Sequence, residues 1–153
     1  MQDDEPDNSR FGAMDLAACT CANLRKATRV ITQAYDAALQ PTGLKATQFT
    51  LLSVLENRGP LPLTQFAAVL VMDRTTLTRN LKPLAAKEFV AIEPTADQRV
   101  RLVVLTLAGR RVWKAARPHW ERAQSRLVER MGVERWSGFT GDLWAVTALV
   151  RKL

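Results

Sequence analysis

Two helical segments separated by only Val71-Met72 constrain this chain more than any other feature. Leu63 to Leu70 is the first and Asp73 to Glu88 the second. In the second, Leu77, Leu81, Leu84 and Ala85 recur at helical spacing and predict one buried stripe. Asp73 suits an N-cap, since a carboxylate there accepts from the free amides of the first turn. Pro83 removes one backbone hydrogen bond inside this helix and predicts a bend. Phe89 to Pro94 and Arg101 to Leu105 then run apolar and β-branched, as two strands joined by the polar loop Thr95-Ala96-Asp97-Gln98-Arg99. Two helices joined this tightly and followed by a hairpin read as a helix-turn-helix with a wing.

The flanks are helical and richer in apolar residues than a small lobe requires. Asp15 to Leu39 carries Leu24, Ile31 and Leu39 near one face, with Cys21, Thr28 and Tyr35 on the same stripe. Pro41-Thr42-Gly43 breaks the chain, and Thr47 to Asn57 follows with Phe49, Leu52 and Leu55 pointing inward. Arg58-Gly59-Pro60 ends that helix. Thr106 is the expected N-cap of a long helix reaching about Arg130, with a kink at Pro118. After Met131-Gly132-Val133, a last helix from Glu134 to Leu153 sets Trp136, Phe139, Leu143, Val146, Val150 and Leu153 at near-heptad spacing. The fold class is therefore mainly α with a small β-wing.

Composition narrows the class. With 153 residues, 47% apolar and 24% charged, the chain can bury a core and does not resemble a disordered protein. No apolar run approaches the length of a membrane span, and the acidic start is unlike a secretory signal, so a cytoplasmic location is expected. Residues 1–12 read as a disordered acidic tail, with Asp3, Asp4, Glu5 and Asp7 against Arg10. The net charge of +7 thus understates the remainder. Between Asp73 and Pro118, ten basic residues face four acids, a local +6 that suits either a polyanion or a solvated surface.

The outward face of Asp73-Arg74-Thr75-Thr76-Leu77-Thr78-Arg79-Asn80 carries the pattern a major-groove helix needs. Arg74 and Arg79 suit guanine edges or phosphates, and Thr75, Thr76 and Thr78 suit phosphates or thymine methyls. Threonine is a poor helix former, so three within four residues have no evident structural reason. At the hairpin tip Arg99 is placed to enter a narrow minor groove, with Asp97 as a bidentate partner for its guanidinium, and Arg101 opens the second strand. The expected partner is double-stranded DNA. An enzyme would need a base, nucleophile or metal constellation, and a single histidine without a Gly-rich or paired-carboxylate motif supplies none. No cofactor is expected.

The run from Leu63-Thr64-Gln65-Phe66-Ala67 through Met72-Asp73-Arg74-Thr75-Thr76-Leu77-Thr78-Arg79 to Leu84, then Asp97-Gln98-Arg99 and Leu105-Thr106-Leu107-Ala108-Gly109-Arg110, resembles the MarR family of winged helix-turn-helix regulators. The resemblance covers roughly Asp15 to Leu153. It implies a MarR-like domain over 13–153, with a winged-helix lobe at 44–106 and dimerisation helices at 13–40 and 107–153. It further implies a homodimeric transcriptional regulator, a repressor at a palindromic operator, with release by a small ligand or by oxidation and with Arg99 in the minor groove.

Cys21-Ala22-Asn23-Leu24-Arg25-Lys26-Ala27-Thr28-Arg29 resembles the first-helix segment of the branch of that family that senses organic hydroperoxides. Cys21 stands at the oxidised position and Tyr35 at that of a supporting tyrosine. The aromatic residues of that branch at positions 25 and 46 are here Arg25 and Ala46. The adjacent cations Arg25 and Lys26 favour a thiolate. Two residues apart on one helix, Cys19 and Cys21 point about 200° apart and cannot bridge without unwinding it. Redox sensing, inert packing in an interface and metal binding remain alternative readings of the pair. Cys-x-Cys with the lone His119 falls short of a zinc site, so no metal is expected. Trp113, Trp120, Trp136 and Trp144 are expected to pack among the dimerisation helices, one or two lining a pocket for a small aromatic ligand beside the winged lobe.

Overall fold

Residues 19–97 and 99–151 are described by the computed structural model. The acidic segment 1–12 and the loop residue Gln98 lie outside them. The chain begins with α1 (Thr20–Leu39), and Leu39 is its only buried residue. A 3₁₀ turn over Gln40–Thr42 ends at Gly43, whose φ of 70° lies in the left-handed region that glycine adopts without steric cost. There follow α2 (Ala46–Arg58), β1 (Leu61–Pro62), α3 (Leu63–Val69), α4 (Arg74–Ala86), β2 (Val90–Pro94), β3 (Arg101–Leu105), α5 (Leu107–Met131) and α6 (Val133–Val150).

The strands form one antiparallel sheet in the order β1-β3-β2. Val90 sits opposite Leu105 and Pro94 opposite Arg101, so the whole length of the hairpin is paired. β1 was not foreseen. Its two residues show no alternation, and only their pairing with Leu102 and Val103 makes them a strand. Both interior prolines, Pro83 and Pro118, lie inside continuous helices.

The buried residues gather in and around the winged lobe. Phe49, Leu51, Leu52 and Leu55 of α2 pack with Phe66, with Leu77, Leu81 and Leu84 of α4, and with Val90 and Val103 of the sheet. Leu51 lies outside the expected inward set because α2 is covered by α1, α4, α5 and β3 rather than on one side. Arg110 at the start of α5 pairs with Glu56 of α2 at 2.9 Å, tying the long helix to the lobe. In contrast α6 has no buried residue, and Val133, Trp144, Leu149 and Val150 are left facing outward.

Candidate nucleic-acid interface

The tight turn before α4 sets its position. Met72 N–H donates to Ala67 O at 2.9 Å and Val71 N–H to Ala68 O at 3.3 Å, closing α3 onto α4. This closure puts Val71 in the left-handed region, φ 54°, a conformation that costs a β-branched residue about 1–3 kcal/mol. Strain is therefore held at the hinge of the helix-turn-helix.

Asp73 caps α4 as expected. Its carboxylate accepts from Thr76 N–H at 2.8 Å and from the Thr76 hydroxyl at 2.7 Å. Those two bonds, the hydroxyl first, hold the Asp73 carboxyl below its ordinary value of 3.8. A depressed carboxyl stabilises the fold while ionised, above the ordinary value, and the gain is lost as pH falls through the lower folded-state value. The stability difference between wild type and Asp73→Asn should thus hold constant from neutral pH down to about pH 4 and shrink below it. Thermal melts at stepped pH measure this; a gap that widens on acidification would contradict the cap.

Beyond the cap, Leu77 faces the core while Arg74, Thr75, Thr78 and Arg79 are exposed. Thr76 is half-buried with its hydroxyl engaged by Asp73, and the Thr78 hydroxyl donates to Arg74 O at 2.8 Å. Two residues outside the expected set join this face. Lys82 continues the cationic row, and Ile92 of β2 borders the same concavity, exposed at 42%. Lys82 was legible as one helical turn beyond Thr78. Ile92 was hidden because a β-branched residue in a strand looks like core.

At the wing, Asp97, Arg99 and Arg101 are all exposed. The Asp97 carboxylate does not grip the Arg99 guanidinium as the sequence suggested. It accepts from the Arg99 backbone N–H at 2.9 Å, an Asx turn that shapes the loop and leaves the guanidinium unpaired by it. Val100 N–H to Asp97 O at 2.9 Å completes the tip. Arg74, Arg79, Lys82, Arg99 and Arg101 are cations of a helix and a wing with no ion-pair partner among the described residues.

This geometry has close counterparts. A sequence model of the MarR family matches residues 44–100, the winged lobe. The M. tuberculosis transcriptional regulator MosR, in a crystal structure with DNA, is 34% identical, with 84% of this chain and 98% of that chain covered and a TM-score of 0.73. The chain belongs to the MarR family. It is a DNA-binding transcriptional regulator of that family, not an enzyme. The repressor CouR on a 23-mer duplex shares the fold at 20% identity, over 91% of this chain and 99% of that one, with a TM-score of 0.78. The HTH-type regulator YwoH of Bacillus subtilis is 30% identical over 83 residues, which span 54% of this chain and 61% of YwoH.

The remaining residues singled out in this MarR-family chain lie on other elements than α4 and the wing. Cys19 is the N-cap of α1 in extended backbone, and exposed Cys21 lies in the first turn. The helical angle expected between them therefore does not apply, because Cys19 precedes the helix. Both thiols are free. Tyr35 lies roughly 21 Å along α1 from Cys21, so the two cannot touch within one chain. Its hydroxyl, raised in pKa by burial, donates to Gln124 Oε1 of α5. Among the described residues no group of three His, Cys, Asp or Glu side chains converges as a metal site. Likewise, none of the described helices is long and apolar enough to cross a membrane.

Trp113 and Trp120 pack at the junction of lobe and long helix. Phe49 stacks on both, with ring centroids at 6.5 and 5.8 Å, and Trp113 Nε1 donates to Ser53 Oγ at 2.9 Å. A cavity of about 450 Å³ opens there, with Arg117 and Glu121, paired at 2.7 Å, on its lining.

Proposed function

We propose that this regulator binds a palindromic operator as a homodimer and represses transcription, α4 entering the major groove and the wing the adjacent minor groove. The observation that carries this reading is the outward, unpacked face of Arg74, Thr75, Thr78 and Arg79 beside the exposed Arg99. Arg74 and Arg79 supply guanine or phosphate contacts, Thr75 and Thr78 short polar and methyl contacts, and Arg99 a minor-groove cation. Thr76 acts through the cap that orients the first turn. Asp97 acts through the turn that presents Arg99, while Arg101 and Lys82 reach phosphates. The winged lobe over 44–106 does the reading, and the helices over 13–40 and 107–153 pair the two copies.

Release follows binding of a small aromatic ligand in the α2–α5 cavity, where Phe49, Trp113 and Trp120 offer ring faces and Arg117 a cation. This cavity lies between the lobe and the long helix, so a ligand there alters the angle at which the lobe is held. Oxidation at Cys21 is the second route, favoured by its exposure. Hydroperoxide should then free DNA from the native protein and not from Cys21→Ser.

Gel shifts with the upstream region of the regulator's own gene test the main reading. Arg99→Ala should weaken binding by about 1–3 kcal/mol and reduce the salt slope by about one. Affinity equal to wild type at both low and high salt would remove the wing from the interface.

A further inference from the structure

The N-cap of α2 is a lysine, Lys45. Helices usually begin on Ser, Thr, Asp or Asn, whose side-chain oxygen accepts from a free first-turn amide, and an ammonium group has no acceptor to offer. Here the missing oxygen comes from another helix. Asp36, in the last turn of α1, accepts from Ala46 N–H through Oδ1 at 2.7 Å. Its Oδ2 lies 3.5 Å from Lys45 Nζ. A carboxylate at a helix N-terminus is also favoured by the helix dipole. One side chain thus spans the whole connection over 40–45, which turns at Gly43.

Three helices meet at the corner closed in this way. Leu39 and Leu44, on either side of the turn, are buried in the core. The Thr42 hydroxyl donates to Leu39 O at 2.7 Å, and Gly43 N–H to Gln40 O at 3.1 Å. Lys87, the C-cap of α4, reaches back to Gly43 O at 3.5 Å. The end of the DNA-facing helix therefore abuts the joint between α1 and α2. The lobe's other strut is α5, whose first turn is held by the Arg110–Glu56 pair. Farther along α5, Gln124 takes the Tyr35 hydroxyl of α1. Between those two points lies Pro118, which supplies no N–H to the helix ladder, so α5 is weakest where it leaves the lobe. The angle of the lobe then depends on the corner.

We infer that Asp36 is a positioning residue for operator binding: its carboxylate locks the α1–α2 corner and so sets the distance between the two α4 helices of a pair. The inference rests on the dimeric operator reading above. A lever gives its size. α2 has 13 residues and is about 20 Å long. A tilt of about 10° at its capped end moves the other end by roughly 3 Å, near the roughly 3.4 Å rise of one base pair. Paired recognition helices have to match the spacing of their half-sites. Without the Asp36 oxygen each lobe still reads its own half-site, while the spacing between the two is no longer enforced.

Anisotropy titrations of the full chain against three labelled duplexes are the test: the palindrome protected in the upstream region, the same with one half-site scrambled, and the same with one base pair inserted at its centre. Wild type should favour the intact palindrome over both others. Asp36→Ala should bind the scrambled duplex within about twofold of wild type, and its discrimination against the insertion should shrink about tenfold or more. Asp36→Asn, which keeps an oxygen acceptor, should retain the wild-type discrimination, as should Lys45→Ala, which removes only the ion pair. Asp36→Gln, whose longer arm moves the oxygen, should behave as Asp36→Ala and replaces it if the alanine variant does not fold. Wild-type discrimination in folded Asp36→Ala or Asp36→Gln would overturn the inference alone. So would an equal loss of affinity on all three duplexes, the mark of a residue that only supports the fold. Wild-type protein indifferent to scrambling one half-site would overturn the operator reading, and the inference with it.

Discussion

Gly109→Ala should lower stability by about 3 kcal/mol, the upper part of the range for overpacking, and the thermal midpoint by roughly 6–12 °C for a chain of this size. A Cβ at 109 would lie 2.0 Å from Phe89 O and 2.9 Å from its carbonyl carbon, well inside contact distance. Leu105 Cδ1, at 2.8 Å, can turn away; the Phe89 backbone cannot. That carbonyl already accepts from Thr106 N–H at 3.2 Å and from the Thr106 hydroxyl at 3.1 Å, and the same hydroxyl lies 2.6 Å from Glu88 O. Thr106 also caps α5 by accepting from Gly109 N–H at 3.0 Å. The first turn of α5 is thus clamped to the start of β2, and one methyl group must force them apart. Because β2 and β3 carry the wing, operator affinity should fall with the melting temperature. A midpoint equal to wild type would show that this junction yields without cost.

If two copies pair through α6 as proposed, Trp144→Glu/Leu149→Glu should turn that dimer into a monomer and weaken operator binding by more than about 100-fold. In a single chain Trp144 is 77% exposed and Leu149 67%, on a helix that buries nothing. Covering a large apolar side chain stabilises by about 1.5–3 kcal/mol, and the double variant would remove four such side chains from the proposed symmetric interface while placing four carboxylates in it. A monomer offers one recognition helix instead of two joined by a rigid scaffold, so the second half-site is lost. Light scattering at micromolar concentration reads the association state directly. Wild-type protein running as a monomer there would contradict the dimer, whatever the variant did.

The sequence displayed the lobe well and the flanks less fully. α3, α4 and the two wing strands follow from short local signals: the Asp73 cap, the Leu77-Leu81-Leu84 stripe and the β-branched alternation of the hairpin. The Thr106 cap was equally legible because threonine is a favoured N-cap and here precedes a long helical run, and its hydroxyl accepts from Gly109 N–H. Non-local features were hidden. β1 exists only by pairing with β3, Leu51 is buried only because several elements cover α2, and Ile92 faces outward despite its apolar character. At the interface, residue types gave the cationic face but not the hydrogen-bond partners. Asp97 grips a backbone amide rather than a guanidinium, and the Thr76 hydroxyl serves the cap; both are settled by geometry within three residues rather than by composition. Cys19 was misplaced because helix periodicity extends past the point where the backbone opens.

Quantitative binding of Arg74→Ala/Arg79→Ala to the upstream duplex, across a salt series, bears most directly on the claim that α4 reads DNA. The variant should keep the wild-type melting curve, since both side chains are exposed, and lose about 2–6 kcal/mol of affinity if each arginine contributes about 1–3 kcal/mol. Its log-affinity against log-salt slope should also fall by about one to two. Wild-type affinity and slope in a folded double variant would contradict the account.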